Sequence, residues 1–512
     1  MDFSVLPIAQ VAAFDRPAID WHAVAPELIL LGFGALLTMI DVIFLERAKQ
    51  YTSALAGIGL LATMVPILTL ANDISETGPR VMFEGAFVVD EFALIMKAVF
   101  ILSGYVVILL STNYIAEGDY WESEYYGLLL SSILGMVVMA SSRDLISIFV
   151  AFELLSIPSY MLATWKKRSL ESNEAGLKYY LMGVFASAIM LYGMSLLFGA
   201  SGETILTRVN ESLTSDPLTG EALTSSTPVL TLGVIFIIVG FAFKVSAVPF
   251  HNWAPDTYTG APIPVTAFLA VASKIAGFVA LVQLVFVGFF NRADVFQPLL
   301  WLLAAASMIV GNLIALRQTD IVRLMAYSGV AQAGFILAPL AVAGEVGDQA
   351  LGSIVSYLAI YAAMNLGAFA VILAAARKTG STSIESMSGL FSYAPGLAVA
   401  MTIFMFALAG IPPLGGWFAK FQIFFAVIED GSAWAIVLGV LLAVNSVIAL
   451  YYYASVARRI WADEVPDGDL TPIRIPTSLG AALALTVVAT LVFGFVPGAV
   501  SQFTDVGLIA GG

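Results

Sequence analysis

The chain contains no cysteine and only two histidines, His22 and His251. Iron–sulfur ligation, disulfides and a Cys/His zinc site are thereby excluded, and haem ligation would have to rest on those two rings alone. Any redox chemistry that this chain serves must be carried by partners. Charge is scarce too: 11% of the 512 residues are Asp, Glu, Lys or Arg, against about 25% in a soluble domain. The net charge of −14 excludes a nucleic-acid-binding surface. The segment from Met1 to His22 has three Asp and one Arg. It lacks the cationic start of a cleavable signal peptide, so the first apolar span is expected to act as the insertion signal.

What remains is apolar. Hydrophobic residues make up 60% of the chain, in runs separated by short polar gaps. With about 20 apolar residues needed per spanning helix, the pattern predicts an all-α polytopic membrane protein of about fourteen transmembrane helices. They fall near 24–44, 51–70, 89–111, 125–141, 144–165, 174–199 and 229–250 in the first half. The second half has 262–288, 296–316, 320–343, 350–376, 396–428, 434–459 and 476–499. Seventeen of the 22 Lys and Arg lie between spans. With the N-terminus outward, the inward gaps hold twelve of them, including Arg47, Lys49, Lys166, Lys167 and Arg168. The outward gaps hold five: Arg16, Arg80, Arg143, Arg208 and Arg292. Both termini are therefore expected on the outer, periplasmic side. The loop 200–228 reads as a surface loop with a short helix at 203–213.

Two spans are interrupted. Gly240–Pro262 places Lys244 at membrane depth and Pro249 five residues later. Lipid tolerates neither a lone ammonium nor freed backbone groups, so a protein-lined, hydrated cavity is expected there. Ala409–Lys420 contains Pro412, Pro413, Gly415 and Gly416, which cannot all continue a helix. The two breaks are five spans apart, and an odd count inverts a repeated unit. The expected organisation is three helices over 1–123, a five-helix repeat over 124–290, its inverted counterpart over 291–460 and a last helix over 461–512.

Five basic residues lie inside spans: Lys97, Lys178, Lys244, Lys274 and Lys420. One acid, Glu153, is mid-span beside Pro158. Each such charge costs about 3 kcal/mol on insertion scales, and pairing Glu153 with Lys244 is the cheapest remedy. At ~4 Å and an effective dielectric near 20 that pair is worth about 4 kcal/mol. A static ion pair is the plain alternative to a pair that opens and closes. Lys274 reads as a proton relay, or as a structural donor to freed carbonyls of the seventh span. Lys420 is hemmed in by Phe421, Phe424 and Phe425. Lys178 is near enough to a surface to snorkel. Lys97 has no acid or proline at its depth in the sequence and reads as structural. His251, just past the Pro249 break, either accepts protons or caps carbonyls. Asp256 reads as a turn residue.

Five segments carry a resemblance: Phe149–Trp165, Glu174–Gly193, Phe243–Pro262, Leu324–Phe335 and Gly410–Phe421. They are similar to the antiporter-like membrane subunits of respiratory complex I, over roughly residues 125–425. The resemblance implies a fourteen-helix subunit of an NADH–quinone oxidoreductase in the bacterial inner membrane. It implies that Glu153 pairs with Lys244, that Lys274 and Lys420 carry the proton onward, and that Lys178 matches an extra sixth-span lysine of one branch. NAD, FMN, iron–sulfur clusters and quinone would belong to partner subunits. An M-type antiporter-like neighbour, small membrane subunits and lipids would surround the chain. The expected path runs from the cytoplasm near His251 and Lys244, through Lys274, and outward past Lys420. The competing readings are a subunit of a multisubunit sodium/proton antiporter and a non-conducting assembly scaffold.

Overall fold

The computed structural model describes residues 17–44, 49–118, 122–213, 228–496, 498–501 and 508. Arg16, Arg47 and residues 214–227 of the loop 200–228 lie outside the described residues. The described chain is almost wholly helical. Helices α1 (Ala25–Phe44), α2 (Lys49–Thr77) and α3 (Glu91–Ala116) come first, with a two-stranded hairpin, β1 (Arg80–Met82) and β2 (Phe87–Val89), between the last two. Then follow α4 (Glu122–Ser141), α5 (Leu145–Ala163), α6 (Leu170–Ser201) and the short α7 (Leu206–Ser212). Helix α8 (Pro228–Lys244) stops and α9 (Trp253–Gly260) resumes the crossing. Helix α10 (Ile263–Gly288) widens into π turns at Leu269–Ser273 and Leu284–Gly288.

The second half holds α11 (Ala293–Ala315), α12 (Ile321–Leu340) and α13 (Gly347–Thr379), then the interrupted pair α14 (Pro395–Ala409) and α15 (Gly415–Glu429). Helices α16 (Ala433–Ala462) and α17 (Thr477–Phe495) close the fold. Among the described residues, twelve helices are long and apolar enough to cross a membrane, and α8 and α14 are shorter apolar helices. The polar gaps supply the caps: Asp90, Asp144, Ser169, Asp320 and Ser432 each accept a backbone N–H of the first turn. The fold class read from hydropathy is the one observed. Pro158 leaves α5 continuous to Ala163.

One local construction occurs twice. Helices α6 and α13 both end on a left-handed glycine, Gly202 (φ 70°) and Gly380 (φ 67°), where a side chain would be strained. After Gly202, Leu145 N–H donates to the Thr204 carbonyl and Leu206 N–H to that of Arg143, at 2.9 and 2.8 Å. After Gly380, Ile321 N–H donates to Thr382 and Ile384 N–H to Thr319, both at 2.8 Å. Helix contacts repeat as well. A Cβ on Gly135 would stand 2.6 Å from the Leu155 nitrogen, and one on Gly311 would stand 2.6 Å from that of Ala331. Glycine thus lets α4 meet α5, and α11 meet α12, backbone to backbone.

Helices α10 and α13 are enclosed on all sides, and α12 nearly so. Helix α13 packs on α3, α14, α15 and α17, placing the N-terminal helices against the second half. Arg143, expected in an outward gap, is instead fully buried and pairs with Asp90 at 2.8 Å. The link after α4 folds back on β2, and a guanidinium is tolerated there because a carboxylate and the Ala140 and Ser142 carbonyls receive it.

Candidate functional site

Lys244 is the last residue of α8. The chain then turns through Ser246, at φ 60°, and a cis Val248–Pro249 bond into α9. Several backbone groups at this break find protein partners. Ala247 N–H reaches the Ala242 carbonyl at 2.8 Å, the Trp253 indole donates to the Phe243 carbonyl at 3.0 Å, and Ser307 Oγ accepts from Val248 N–H at 2.9 Å. The Lys244 ammonium is buried and donates to Ser156 Oγ at 2.9 Å and Tyr179 Oη at 3.1 Å. The Phe152 and Tyr179 rings flank it at 5.3 and 5.6 Å.

Glu153 departs from expectation. It is half-buried on α5, and among the described residues no carboxylate oxygen comes within 4.0 Å of Lys244 Nζ. Its buried Oε1 has no hydrogen-bond partner among the described residues. Two of the three donors of the ammonium are taken by Ser156, one turn further along α5, and by Tyr179 from α6. Neutral oxygens take the place assigned to the carboxylate.

Lys274 follows the π turn of α10 directly. Such turns are frequent at functional sites. Its buried ammonium donates to the Gly329 carbonyl of α12 at 2.8 Å, so it bonds the tenth span and not the freed carbonyls of the seventh. A Cβ on Gly329 would lie 2.9 Å from Nζ, so glycine makes room for the approach. Lys244 and Lys274 are linked through α10: a Cβ on Gly277, three residues past Lys274, would touch Lys244 Cγ at 3.2 Å.

Beyond Gly329 the polar line continues through side chains that the sequence reading did not single out. Gln332 Nε2 donates to the Leu408 carbonyl and to Tyr453 Oη, both at 3.2 Å. Tyr357 Oη donates to Gln332 Oε1, and Ser328 shares a hydrogen bond with Tyr453. Tyr361 Oη donates to the Ala270 carbonyl within the π turn at 3.1 Å and accepts from Asn365 Nδ2 at 2.6 Å. One signal was available: Tyr357, Tyr361 and Asn365 recur every four residues, on one face of α13.

Lys420 closes the line. It lies on α15, and its buried ammonium donates to the Ala409 carbonyl, the last of α14, at 3.0 Å. Phe335 lies 4.6 Å from Nζ. A cation is favoured at a helix C-terminus, where carbonyls are unpaired. In both breaks, then, a lysine serves the end of the first half-helix: Lys244 as its terminal residue, Lys420 from across the gap. A cis Pro412–Pro413 bond lies in the second.

The remaining candidates lie elsewhere. Lys178 is exposed and belongs to an ionic cluster, with Glu174 at 2.6 Å and Asp256 at 2.9 Å. Asp256 lies in α9, not in a turn, and its other oxygen takes Arg323 at 2.9 Å. His251 is buried at the break, edge-on to Tyr327, and its Nδ1 has no hydrogen-bond partner among the described residues. Lys97 does have an acid at its depth: it pairs with Glu27 of α1 at 2.7 Å, 0% exposed itself against 12% for the carboxylate. That acid is seventy residues away in sequence, which is why local reading missed it.

Fold and line together define the class: a polytopic helical membrane protein with two interrupted helices and a string of intramembrane lysines between them. Residues 142–446 match the family described as NADH:quinone oxidoreductase/Mrp antiporter, TM, and the chain belongs to this family. It is 36% identical over 499 residues to NADH-quinone oxidoreductase subunit N of Brevibacillus brevis, with 95% of each chain covered. A chain of respiratory complex I from Thermus thermophilus is 30% identical and superposes with a TM-score of 0.75, covering 94% of this chain and all of that one. A chain of the Mrp complex from a Dietzia species superposes at 0.81 with 20% identity, covering 95% and 97%, which is a likeness of fold. Within the family, the resemblance is to antiporter-like subunits of the N type.

Proposed function

We propose that this chain is a proton-translocating membrane-arm subunit of an NADH–quinone oxidoreductase, driven by quinone reduction in other subunits. The observation that carries the reading is the state of its three buried lysines. Lys244, Lys274 and Lys420 are each held by uncharged oxygens, from Ser156 and Tyr179, Gly329, and Ala409 respectively. A lysine locked in a tight ion pair has little reason to release its proton, whereas one held by uncharged oxygens can exchange it. Among the described residues, buried polar atoms without a hydrogen-bond partner border the line, including Asn365 Oδ1 and Ser356 Oγ. Each needs a partner, and water is the partner that fits a buried polar site and conducts protons.

Under this proposal Glu153 is the handle. A charge change in the neighbouring subunit acts on its unpartnered oxygen and alters the field at Lys244. Protons reach Lys244 from the cytoplasm past His251, pass Lys274 and Gln332, and leave beyond Lys420. Helices α4–α10 and α11–α16 form the inverted pair of five-helix repeats, 124–290 and 291–460. The twofold construction at Gly202 and Gly380 supports that division. NAD, FMN, iron–sulfur clusters and quinone reside in partner subunits, and an M-type subunit is the neighbour. The test is proton uptake per electron in vesicles with assembled complexes carrying Lys244→Ala or Lys420→Ala. The proposal requires lowered stoichiometry in both; wild-type pumping in both would sink it. A sodium/proton antiporter subunit would instead co-purify with sodium-dependent exchange and without NADH dehydrogenase activity.

A further inference from the structure

Helices α1, α4 and α5 do not close against each other along their whole length. They leave a groove of about 630 Å³. One face of α1 lines it, through Leu30, Leu31, Gly34, Ala35, Thr38 and Asp41. Helix α4 supplies Glu124, Gly127, Leu128, Ser131 and Leu134 opposite. Gly34 and Gly127 have open space where a Cβ would stand. The space is therefore not needed for close helix packing, the usual use of such glycines.

The groove is charged at one end only. Asp41 and Glu124 reach that end, with Lys167 and Trp165 from the segment after α5. The other end, at Leu30 and Leu134, is apolar. At 1.5 Å per residue, Leu30 to Asp41 spans about 16 Å. That is roughly half of a ~30 Å hydrocarbon core, or one leaflet. We propose that this groove binds a single phospholipid with an ethanolamine headgroup, its acyl chain along Gly34 and Gly127. The phosphate would pair with Lys167 and the ammonium with Asp41 and Glu124. An anionic lipid fits worse, since it brings a phosphate to two carboxylates without an ammonium to answer them.

The experiment uses the whole complex reconstituted in vesicles of phosphatidylethanolamine and phosphatidylglycerol, with a trace of phosphatidylethanolamine carrying a photoreactive acyl terminus. Labelled peptides are mapped by mass spectrometry. Labelling is expected within 25–44 and 122–141, outcompeted by phosphatidylethanolamine far better than by phosphatidylglycerol. Filling the groove with Gly34→Leu and Gly127→Leu should abolish it. Lys167→Gln, at an exposed position that leaves the fold intact, should weaken the competition by about tenfold, the worth of one charge-assisted hydrogen bond. Equal competition by phosphatidylglycerol, labelling indifferent to Lys167→Gln, or no labelling of either helix because a neighbouring subunit fills the groove would each overturn the assignment.

Discussion

Tyr179→Phe isolates a single bond in the proposed path. The Tyr179 ring is buried, stacked on Trp253 with centroids 4.5 Å apart at 11°, and edge-on to Tyr160 at 4.6 Å. Phenylalanine keeps every one of those contacts, so the fold should not notice the change. What is lost is the 3.1 Å bond from Lys244 Nζ, which leaves Ser156 as the remaining hydrogen-bond acceptor. A hydrogen bond to a charged group is worth about 1.5–3 kcal/mol, or roughly tenfold to 150-fold in an equilibrium or a rate. The protonated state of Lys244 should lose that much relative to its neighbours in the line. Proton uptake per electron, measured in vesicles at fixed NADH:quinone turnover, should fall. The control is Tyr160→Phe: that hydroxyl is buried beside the same ring but bonds nothing among the described residues, and its removal should leave pumping as it was. If assembled Tyr179→Phe complex matched both Tyr160→Phe and wild type in stoichiometry and rate, Lys244 would not exchange protons at this position.

Three further outcomes are expected. Gln332→Met keeps side-chain length but removes the bonds to Tyr357, Tyr453 and the Leu408 carbonyl; assembly should persist while pumping drops about tenfold or more. Lys97→Met alone strands the Glu27 carboxylate and should cost about 3–5 kcal/mol of stability, whereas Lys97→Met with Glu27→Leu should recover most of it; thermal unfolding of the purified complex reads the difference. Gly311→Val should abolish accumulation of the chain in membranes, because its Cβ would meet the Ala331 nitrogen at 2.6 Å, while Gly396→Ala, with open space around it, should accumulate normally.

The span pattern could be read from one dimension because lipid enforces a local rule: each crossing must satisfy its own backbone and bury its own apolar length. Thus α14 and α15 are parted around Pro412 and Pro413, where proline and glycine said they would be, while α8 stops at Lys244, five residues before the Pro249 at which a break was expected. The lysines were conspicuous for the same reason, since a charge in an apolar run needs no alignment to be noticed. Partners were another matter. Glu27 meets Lys97 across seventy residues, Asp256 bridges Lys178 and Arg323, and Gln332 meets Leu408. None of these pairs has a fixed spacing, because they depend on which helices become neighbours.

Hydropathy and charge by themselves therefore determined the class of solvent, the helical fold class, that two of the helices are interrupted, and which ammonium groups are stranded. Tertiary structure alone decided what those ammonium groups touch. It put hydroxyl and carbonyl oxygens beside Lys244, Lys274 and Lys420 and left Glu153 at a distance. The physical reason lies in range. Burial cost is a property of each residue in its own helix, whereas the partner that relieves it is chosen by packing between helices, where a glycine at 329 or 277 decides how near an ammonium can come.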